Sequence, residues 1–286
     1  MVSEPIRDGI SIVVPTYNES EGLPKFVEAV FAVLEQHGIK AEMVIVDDNS
    51  PDGTGRVADE LAQRFSLRVL HRPGKLGLAS AVVDGFNLAS GGILGIMDAD
   101  LSHAPEALPR MLEALRSGEA DLAVGSRYVP GGGTEGWPFR RRFTSVAACW
   151  LARPLTGVRD ATSGFLLMRR EVVQGVRLNP IGFKIGLEII AKGRYERCVE
   201  VPYIFRDRFA GKSKFGRREI LAYLRQLVLL ALDRQAGRGR RAPERIPLEP
   251  AKPLMNEVTG RYEPLKPSTS GARADDAARS RNRPAA

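Results

Sequence analysis

Two carboxylates one residue apart, Asp98 and Asp100, close the apolar run in ILGIMDADLSH, residues 93 to 103. A run of this length reads as a buried strand, which sets both aspartates at its carboxyl end with their side chains directed alike. Hard oxygen donors on a rigid strand end suit Mg2+ or Mn2+, cations that keep coordination positions open for substrate phosphate oxygens. The same spacing also occurs in turns and helix caps. The other polar clusters of the chain have to decide between the two.

Stepping along the sequence, Ile10 to Val14 is a β-rich run followed by PTYNESEGL, where Asn18 or Ser20 can cap a helix with Phe26, Val27, Val30, Phe31 and Leu34 on one face. Met43 to Val46 repeats the unit, ending in DDNSPDGTG before a helix with Val57, Leu61 and Phe65. Leu67 to Leu70 is a third strand, closed by HRPGKLG ahead of a small-residue helix from Leu78 to Ala89. After DADLSH come a helix from about Pro105 to Arg116 and a strand from Leu122 to Gly125. The alternation predicts an α/β fold: a mostly parallel sheet, right-handed crossovers and helices on both faces.

Ligands collect at the carboxyl ends of such strands. Thr16, Tyr17, Asn18 and Glu19 follow the first strand, Asp47 and Asp48 the second, Lys75 the third, Asp98 and Asp100 the fourth, and Ser126 and Arg127 the fifth. Singly, Asn18 serves as a cap, DNSPDG as a turn and Lys75 as a solvated charge. Five polar clusters on one rim together point to a site.

Beyond Tyr128 the pattern changes. PGGGTEGWP reads as a mobile Gly-rich loop, a candidate lid, leading into Arg140, Arg141 and Arg142 and a helix from about Phe143 to Leu155. DATSGFLLMRREV reads as a strand with turn chemistry at its start, followed by an apolar helix that contains Glu188 and a strand from Cys198 to Phe205. FRDRFAGKSKFGRR gathers Arg206, Arg208, Lys212, Lys214, Arg217 and Arg218, either as a solvated face or as a loop able to close on phosphate. Arg217 to Arg234 is helical, with Ile220, Leu221, Leu224, Leu227, Val228 and Ala231 on one face. That face either docks on the domain or rests on a membrane. The expected organisation is a catalytic domain over 1–216, an amphipathic helix over 217–235 and a disordered tail over 236–286.

Composition narrows the partners. The chain has 286 residues, 43% of them hydrophobic, and a formal charge of +8. Residues 236–286 carry eleven Lys/Arg against six Asp/Glu, so +5 of that excess lies in the tail, together with seven of the 19 prolines. With no aromatic-interleaved basic ladder, nucleic acid is not the expected partner; an anionic membrane surface or anionic substrate is. Cys149 and Cys198 have no ligand or redox spacing and read as buried thiols. No apolar signal core or membrane span is evident, so the expectation is a cytoplasmic protein, peripheral on the membrane. No G-x-G-x-x-G follows the first strand, which disfavours a dinucleotide-binding dehydrogenase.

The motifs PTYNE, VDDNSPDGT, KLGL, MDADLSH, GSRY and FRDRFAGKSK, in that order from about Ile10 to Lys214, resemble those of the GT-A nucleotide-sugar glycosyltransferases, specifically the polyprenol (dolichol) phosphate mannose synthases. The resemblance implies a GDP-mannose donor, a Mg2+ or Mn2+ ion and a membrane-embedded polyprenyl phosphate acceptor. By position it implies a nucleotide pocket lined by Pro15, Tyr17 and Glu19, with Asp47 or Asp48 and Lys75 facing base and ribose. Asp98 and Asp100 would hold metal and diphosphate. Arg127, Arg141 and Ser145 would surround the acceptor phosphate, and Arg208 and Lys214 would grip phosphate.

There are departures. Ser102 stands where some relatives carry Gln as a further metal ligand, and Leu166 stands where many mannose synthases have Arg. No membrane helices follow, so lipid contact would fall to the amphipathic helix, the basic loop or a membrane-anchoring partner subunit. A phosphate acceptor is already anionic near neutral pH, which fits an Arg-rich site without a catalytic His. A single displacement would invert the anomeric centre. The rival readings are a UDP-sugar-dependent polyprenyl-phosphate glucosyl- or N-acetylglucosaminyltransferase and a non-catalytic nucleotide- or membrane-binding scaffold.

Overall fold

Aliphatic runs without charge form the inner strands. Ile10–Thr16 (β1) and Ala41–Asp47 (β2) pair in parallel along their whole length, Ile10 opposite Ala41 and Thr16 opposite Asp47. Leu67–His71 (β3) extends the sheet beside β2, and Ile93–Ile96 (β4) lies on the other side of β1. Leu122–Ser126 (β5), Leu166–Arg169 (β7), Arg197–Pro202 (β8) and Glu244–Ile246 (β10) complete an eight-stranded sheet in the order β10-β8-β5-β7-β4-β1-β2-β3. The pairings make β7 antiparallel to both its neighbours, so every other strand of this sheet runs one way. In this computed structural model the described residues are 9–178, 184–207, 217–235 and 244–246, all in a unit that ends at Glu249.

Helices cover both faces. Leu23–Gln36 (α1), Thr54–Ala62 (α2) and Leu108–Arg116 (α4) bury Phe26, Val30, Leu61, Met111 and Leu115 with Ile12, Ile45 and Phe165 of the sheet side. Leu78–Leu88 (α3), Phe139–Thr156 (α5) and Ile185–Lys192 (α6) cover the other face, with Val82, Ala152 and Ile189 clustered with Val13, Val46 and Val124. Arg217–Gln235 (α7) lies outside α5 and α6. It is fastened by Tyr223 Oη donating to the Ala148 carbonyl (2.6 Å), the Lys192–Asp233 ion pair (3.0 Å) and Arg234 donating to the Pro154 carbonyl (2.6 Å).

Four features depart from the sequence reading. The long strand through Phe205 breaks at Tyr203, and its end, Ile204–Phe205 (β9), pairs with Gly133–Thr134 (β6) of the Gly-rich loop. That loop is thus strapped to β9, helped by the Glu135 N–H to Phe205 carbonyl bond (2.8 Å), instead of hanging free. Helix α5 begins at Phe139, directly after Pro138, so Arg140, Arg141 and Arg142 lie in its first turns. Glu244–Ile246, inside the expected disordered tail, adds a strand to β8 and shields backbone groups that an edge strand leaves unpaired. Finally, α7 turns Gln226 and Leu230 inward, beside the partly buried Tyr223 and Leu227, and leaves Ile220, Leu221, Leu224, Val228, Leu229 and Leu232 exposed.

The closeness of α3 to the sheet depends on Gly85. A Cβ there would overlap the Val13 side chain and lie 3.1 Å from Val46 Cγ2. Helix propensity alone would favour replacing this glycine by about 1 kcal/mol, but both clashing partners are β-branched side chains of central strands. Gly85→Val is expected to destabilise the fold by about 1–3 kcal/mol, read as a lower urea midpoint.

Candidate active site

At the end of β4 the chain turns sharply. Met97 and Ala99 point into the core, while Asp98 and Asp100 are partly exposed, and Leu101 adopts a positive φ of 57°. The turn is braced from inside: the Asp98 N–H donates to His103 Nδ1 (3.1 Å), and Asp100 Oδ1 accepts the Ser102 N–H (3.0 Å). Because Nδ1 must accept, the His103 ring is neutral and carries its proton on Nε2, 3.8 Å from Asp98 Oδ2. Burial pushes the His103 pKa down against the opposing pull of Asp98 and Asp100. The ring stacks on Phe165 (centroids 5.2 Å apart) and meets Tyr203 and Phe205 edgewise. His103 is therefore a fixed brace for the acidic turn.

Ser102 contributes a second observation. Its Oγ is fully buried and has no hydrogen-bond partner among the described residues, an arrangement that costs energy unless something else supplies a partner. Two carboxylates and one hydroxyl are hard oxygen donors that fit Mg2+ or Mn2+. Among the described residues no group of three or more His, Cys, Asp or Glu is placed to hold a metal ion, so the remaining coordination would fall to substrate oxygens and water.

The β1 and β2 loops are stitched to one another. Ser50 Oγ accepts the Asn18 N–H (3.1 Å), Thr54 Oγ1 accepts the Glu19 N–H (2.9 Å) and Asp52 accepts the Ser20 N–H (3.1 Å). Asn18 and Asn49 both have positive φ, a conformation asparagine tolerates better than most residues. Burial would raise the Asp52 pKa, but the hydrogen bonds from Thr54 and Ser20 outweigh it and hold the carboxyl low. These bonds present Tyr17 and Glu19 at the rim beside Pro15, with Lys75 Nζ 3.5 Å above the Tyr17 ring.

Asp47 and Asp48 are buried and engaged within the protein. Asp47 accepts from Ser50 Oγ (2.5 Å), the Ser50 N–H (3.0 Å) and Thr16 Oγ1 (3.3 Å). Asp48 accepts the N–H groups of Leu76 (3.0 Å) and Gly77 (2.7 Å) and pairs with the buried Arg72 (2.7 Å). The two carboxylates thus shape the β2 loop and the Lys75 loop.

Arg127, at the end of β5, is buried. It donates bidentately to Asp160 (2.7 and 2.6 Å) and to Thr162 Oγ1 (2.9 Å), and its own N–H also reaches Asp160 (2.9 Å). Burial pulls the Arg127 pKa down, yet Asp160 holds it up; burial would raise Asp160, yet Arg127 holds it low. Cys149 of α5 touches the same pair, its thiol pushed up to about 11 by burial and by Asp160. Arg141 packs 4.1 Å over the Trp137 ring and pairs with Asp207 (2.9 Å). Ser145 is partly exposed on α5, one turn beyond Arg141.

The rim therefore gathers the β1 to β5 clusters as the spacing predicts. Arg208 and Lys214 lie outside the described residues. Leu166 is fully buried on β7 with Val124, Ile185 and Leu187, a core position. Sequence reading missed Asp160, Thr162, Arg72 and Lys184 as parts of the site. DATSG carries turn chemistry and nothing in it marks a partner for Arg127, 33 positions earlier.

The chain matches the family model described as glycosyl transferase family 2 over residues 11–177. It is 44% identical to a dolichol-phosphate mannosyltransferase of Pyrococcus furiosus over 225 residues, 77% of this chain and 63% of that relative, so it spans under two thirds of that protein. It is 43% identical to a polyprenol monophosphomannose synthase of Mycolicibacterium smegmatis, over 73% of this chain and 82% of the relative. Among solved structures, a glucosyl-3-phosphoglycerate synthase of Mycobacterium tuberculosis has a TM-score of 0.58 at 20% identity, covering 79% of this chain and 78% of that one. A mannosyltransferase of Pyrobaculum calidifontis, in complex with GDP-Man and Mn2+, has a TM-score of 0.55 at 20% identity, covering 83% and 66%. These likenesses carry the fold.

Removing one partner of a buried ion pair leaves an uncompensated charge. Asp160→Asn is expected to lower stability by about 3–5 kcal/mol at neutral pH, measured by denaturant titration. A carboxyl with a depressed folded-state pKa stabilises above its unfolded pKa and loses that contribution as pH falls, so the gap to wild type should narrow on acidification.

Proposed function

The chain belongs to glycosyl transferase family 2, among the dolichol-phosphate mannosyltransferases and polyprenol monophosphomannose synthases, and from that premise we propose that it transfers mannose from GDP-mannose to a polyprenyl phosphate with inversion. The observation that carries this reading is the braced Asp98/Asp100 turn with the unpartnered Ser102 hydroxyl at the sheet rim. The fold is that of the GT-A glycosyltransferases.

Asp98, Asp100 and Ser102 would hold the divalent cation, which when bound stabilises charge developing on the departing diphosphate. Pro15, Tyr17, Glu19 and Lys75 bind the nucleotide, on loops fixed by Asp47, Asp48 and Asp52. Arg127, Arg141 and Ser145 would orient the acceptor phosphate, and by the family resemblance Arg208 and Lys214 would grip phosphate. A phosphate monoester, with a second pKa of about 6, is anionic at neutral pH and attacks without a strong general base. That suits a site whose His103 is neutral and already committed to the Asp98 backbone.

The lipid end of the acceptor requires a membrane surface. All exposed large apolar side chains among the described residues, Leu76 excepted, lie on α5 and α7: Phe139, Phe143, Val146, Trp150 and Leu151 on the first, Ile220 to Leu232 on the second. Exposed apolar side chains on two helices in contact, with Arg140, Arg142 and Arg225 exposed on the same helices, suit an anionic bilayer. No described helix is long and apolar enough to cross a membrane. Helix 217–235 thus serves as an interfacial element of the catalytic domain 1–216.

Metal-dependent transfer from radiolabelled GDP-mannose to polyprenyl phosphate in detergent is the expected result, abolished by EDTA. Transfer from UDP-glucose alone would move the donor assignment, and no transfer from either would revive a binding role. Asp100→Ala is expected to lower turnover at least about 100-fold with an unchanged unfolding midpoint. Trp150→Glu combined with Leu221→Glu is expected to weaken co-sedimentation with anionic vesicles at least about tenfold, while transfer to a soluble short-chain acceptor persists.

A further inference from the structure

Lys184 sits in a place that is, on balance, unfavourable for a cation. It precedes the first residue of α6, at the positive end of the helix dipole. Its Nζ makes one long hydrogen bond, 3.4 Å to the Thr162 carbonyl, and no ion pair with any described residue. Of the two carboxylates whose charge reaches it, Asp160 is held bidentately by Arg127, and Asp98 belongs to the acidic turn after β4; Glu188, one turn along α6, pairs with Lys192 at 2.9 Å. Burial and then Arg127 draw the ammonium's pKa down, against attraction from Asp160, Cys149 and Asp98. Perturbed lysines without a counterion of their own concentrate where a ligand supplies one.

Position says which anion. On one side Lys184 reaches Thr162, whose hydroxyl receives Arg127. On the other its carbonyl accepts from Gln226 Nε2 of α7 (3.2 Å), the helix whose outer face is apolar. Lys184 therefore lies between Thr162, which hydrogen-bonds the buried Arg127, and Gln226 of the proposed lipid-facing helix.

We propose that Lys184 is an acceptor-binding residue whose ammonium pairs with the phosphate monoester of the lipid acceptor beside Arg127. This rests on the reading that the acceptor is a phosphate monoester. The ammonium, which has no direct ion pair among the described residues, receives one when the acceptor enters, and the electrostatic cost of placing it there is recovered as affinity.

The test is calorimetric titration of farnesyl phosphate into the full chain loaded with GDP and Mn2+, comparing wild type with Lys184→Met and Lys184→Gln. Both variants are expected to bind farnesyl phosphate about 10- to 100-fold more weakly, to keep wild-type GDP affinity, and to unfold at the same or a higher temperature. Equal farnesyl phosphate affinity, a loss of GDP affinity instead, or a lowered unfolding temperature would overturn the assignment. A wild type that binds farnesyl phosphate through Lys184 yet refuses GDP-mannose leaves this inference standing and fails the donor reading alone. Transfer with an unchanged acceptor KM in the variants fails Lys184 alone, and a wild type that binds no farnesyl phosphate fails both.

Discussion

The Arg127–Asp160 pair is the contact on which the second half of the site hangs. Two opposite charges removed from water need nearly ideal geometry to hold their ground, and here they have it: a bidentate pair, a backbone N–H and, at 3.4 Å, the Thr162 hydroxyl converge on one carboxylate. Around that point the end of β5, the loop into β7 and the middle of α5 are fixed together. Glu200 of β8 completes the frame by accepting the Arg159 and Asp160 N–H groups and the Ser126 hydroxyl. An Arg so held cannot swing freely toward a substrate, but it lends a permanent positive field to whatever binds beside it.

The first half of the site uses a different device. Short polar side chains, not ion pairs, tie the β1 loop to the β2 loop, and Asp48 with Arg72 ties the β2 loop to the Lys75 loop. The acidic turn after β4 is steadied by a neutral imidazole embedded among Phe165, Tyr203 and Phe205. Acidic donors thus meet the basic half along one sheet rim, each supported from behind by hydrogen-bonded groups of the neighbouring loops.

Much of this is legible in the sequence because it is local. Apolar runs of the right length mark β1, β2, β4 and β5, and the polar residue after each run marks the rim, so Asp98 and Asp100 can be placed before any coordinates are known. What stays hidden is long-range or depends on backbone pairing. Nothing in DATSG announces that Asp160 will meet Arg127, and the lone Lys184 in an apolar stretch looks like any helix-flanking lysine. The tie of β6 to β9 is a main-chain event between a Gly-rich loop and the end of another strand, invisible to side-chain periodicity. For α7 the sequence leaves docking and membrane contact open, because an apolar ring wider than one stripe does not say which arc is covered; in the structure the polar Gln226 faces inward while Ile220, Leu221, Leu224 and Val228 are exposed.

Helix α7 is gripped along its length by Tyr223, Gln226, Asp233 and Arg234, and the chain beyond it re-enters the main sheet as β10. An element leashed at both ends behaves as a keel, not as a flexible anchor. Once such a keel is seated in a bilayer, the height of the reaction centre above the headgroups is set by the protein's own rigid dimensions. On the proposed membrane reading, a rigid element of this kind would fix the depth at which the acceptor's phosphate is met.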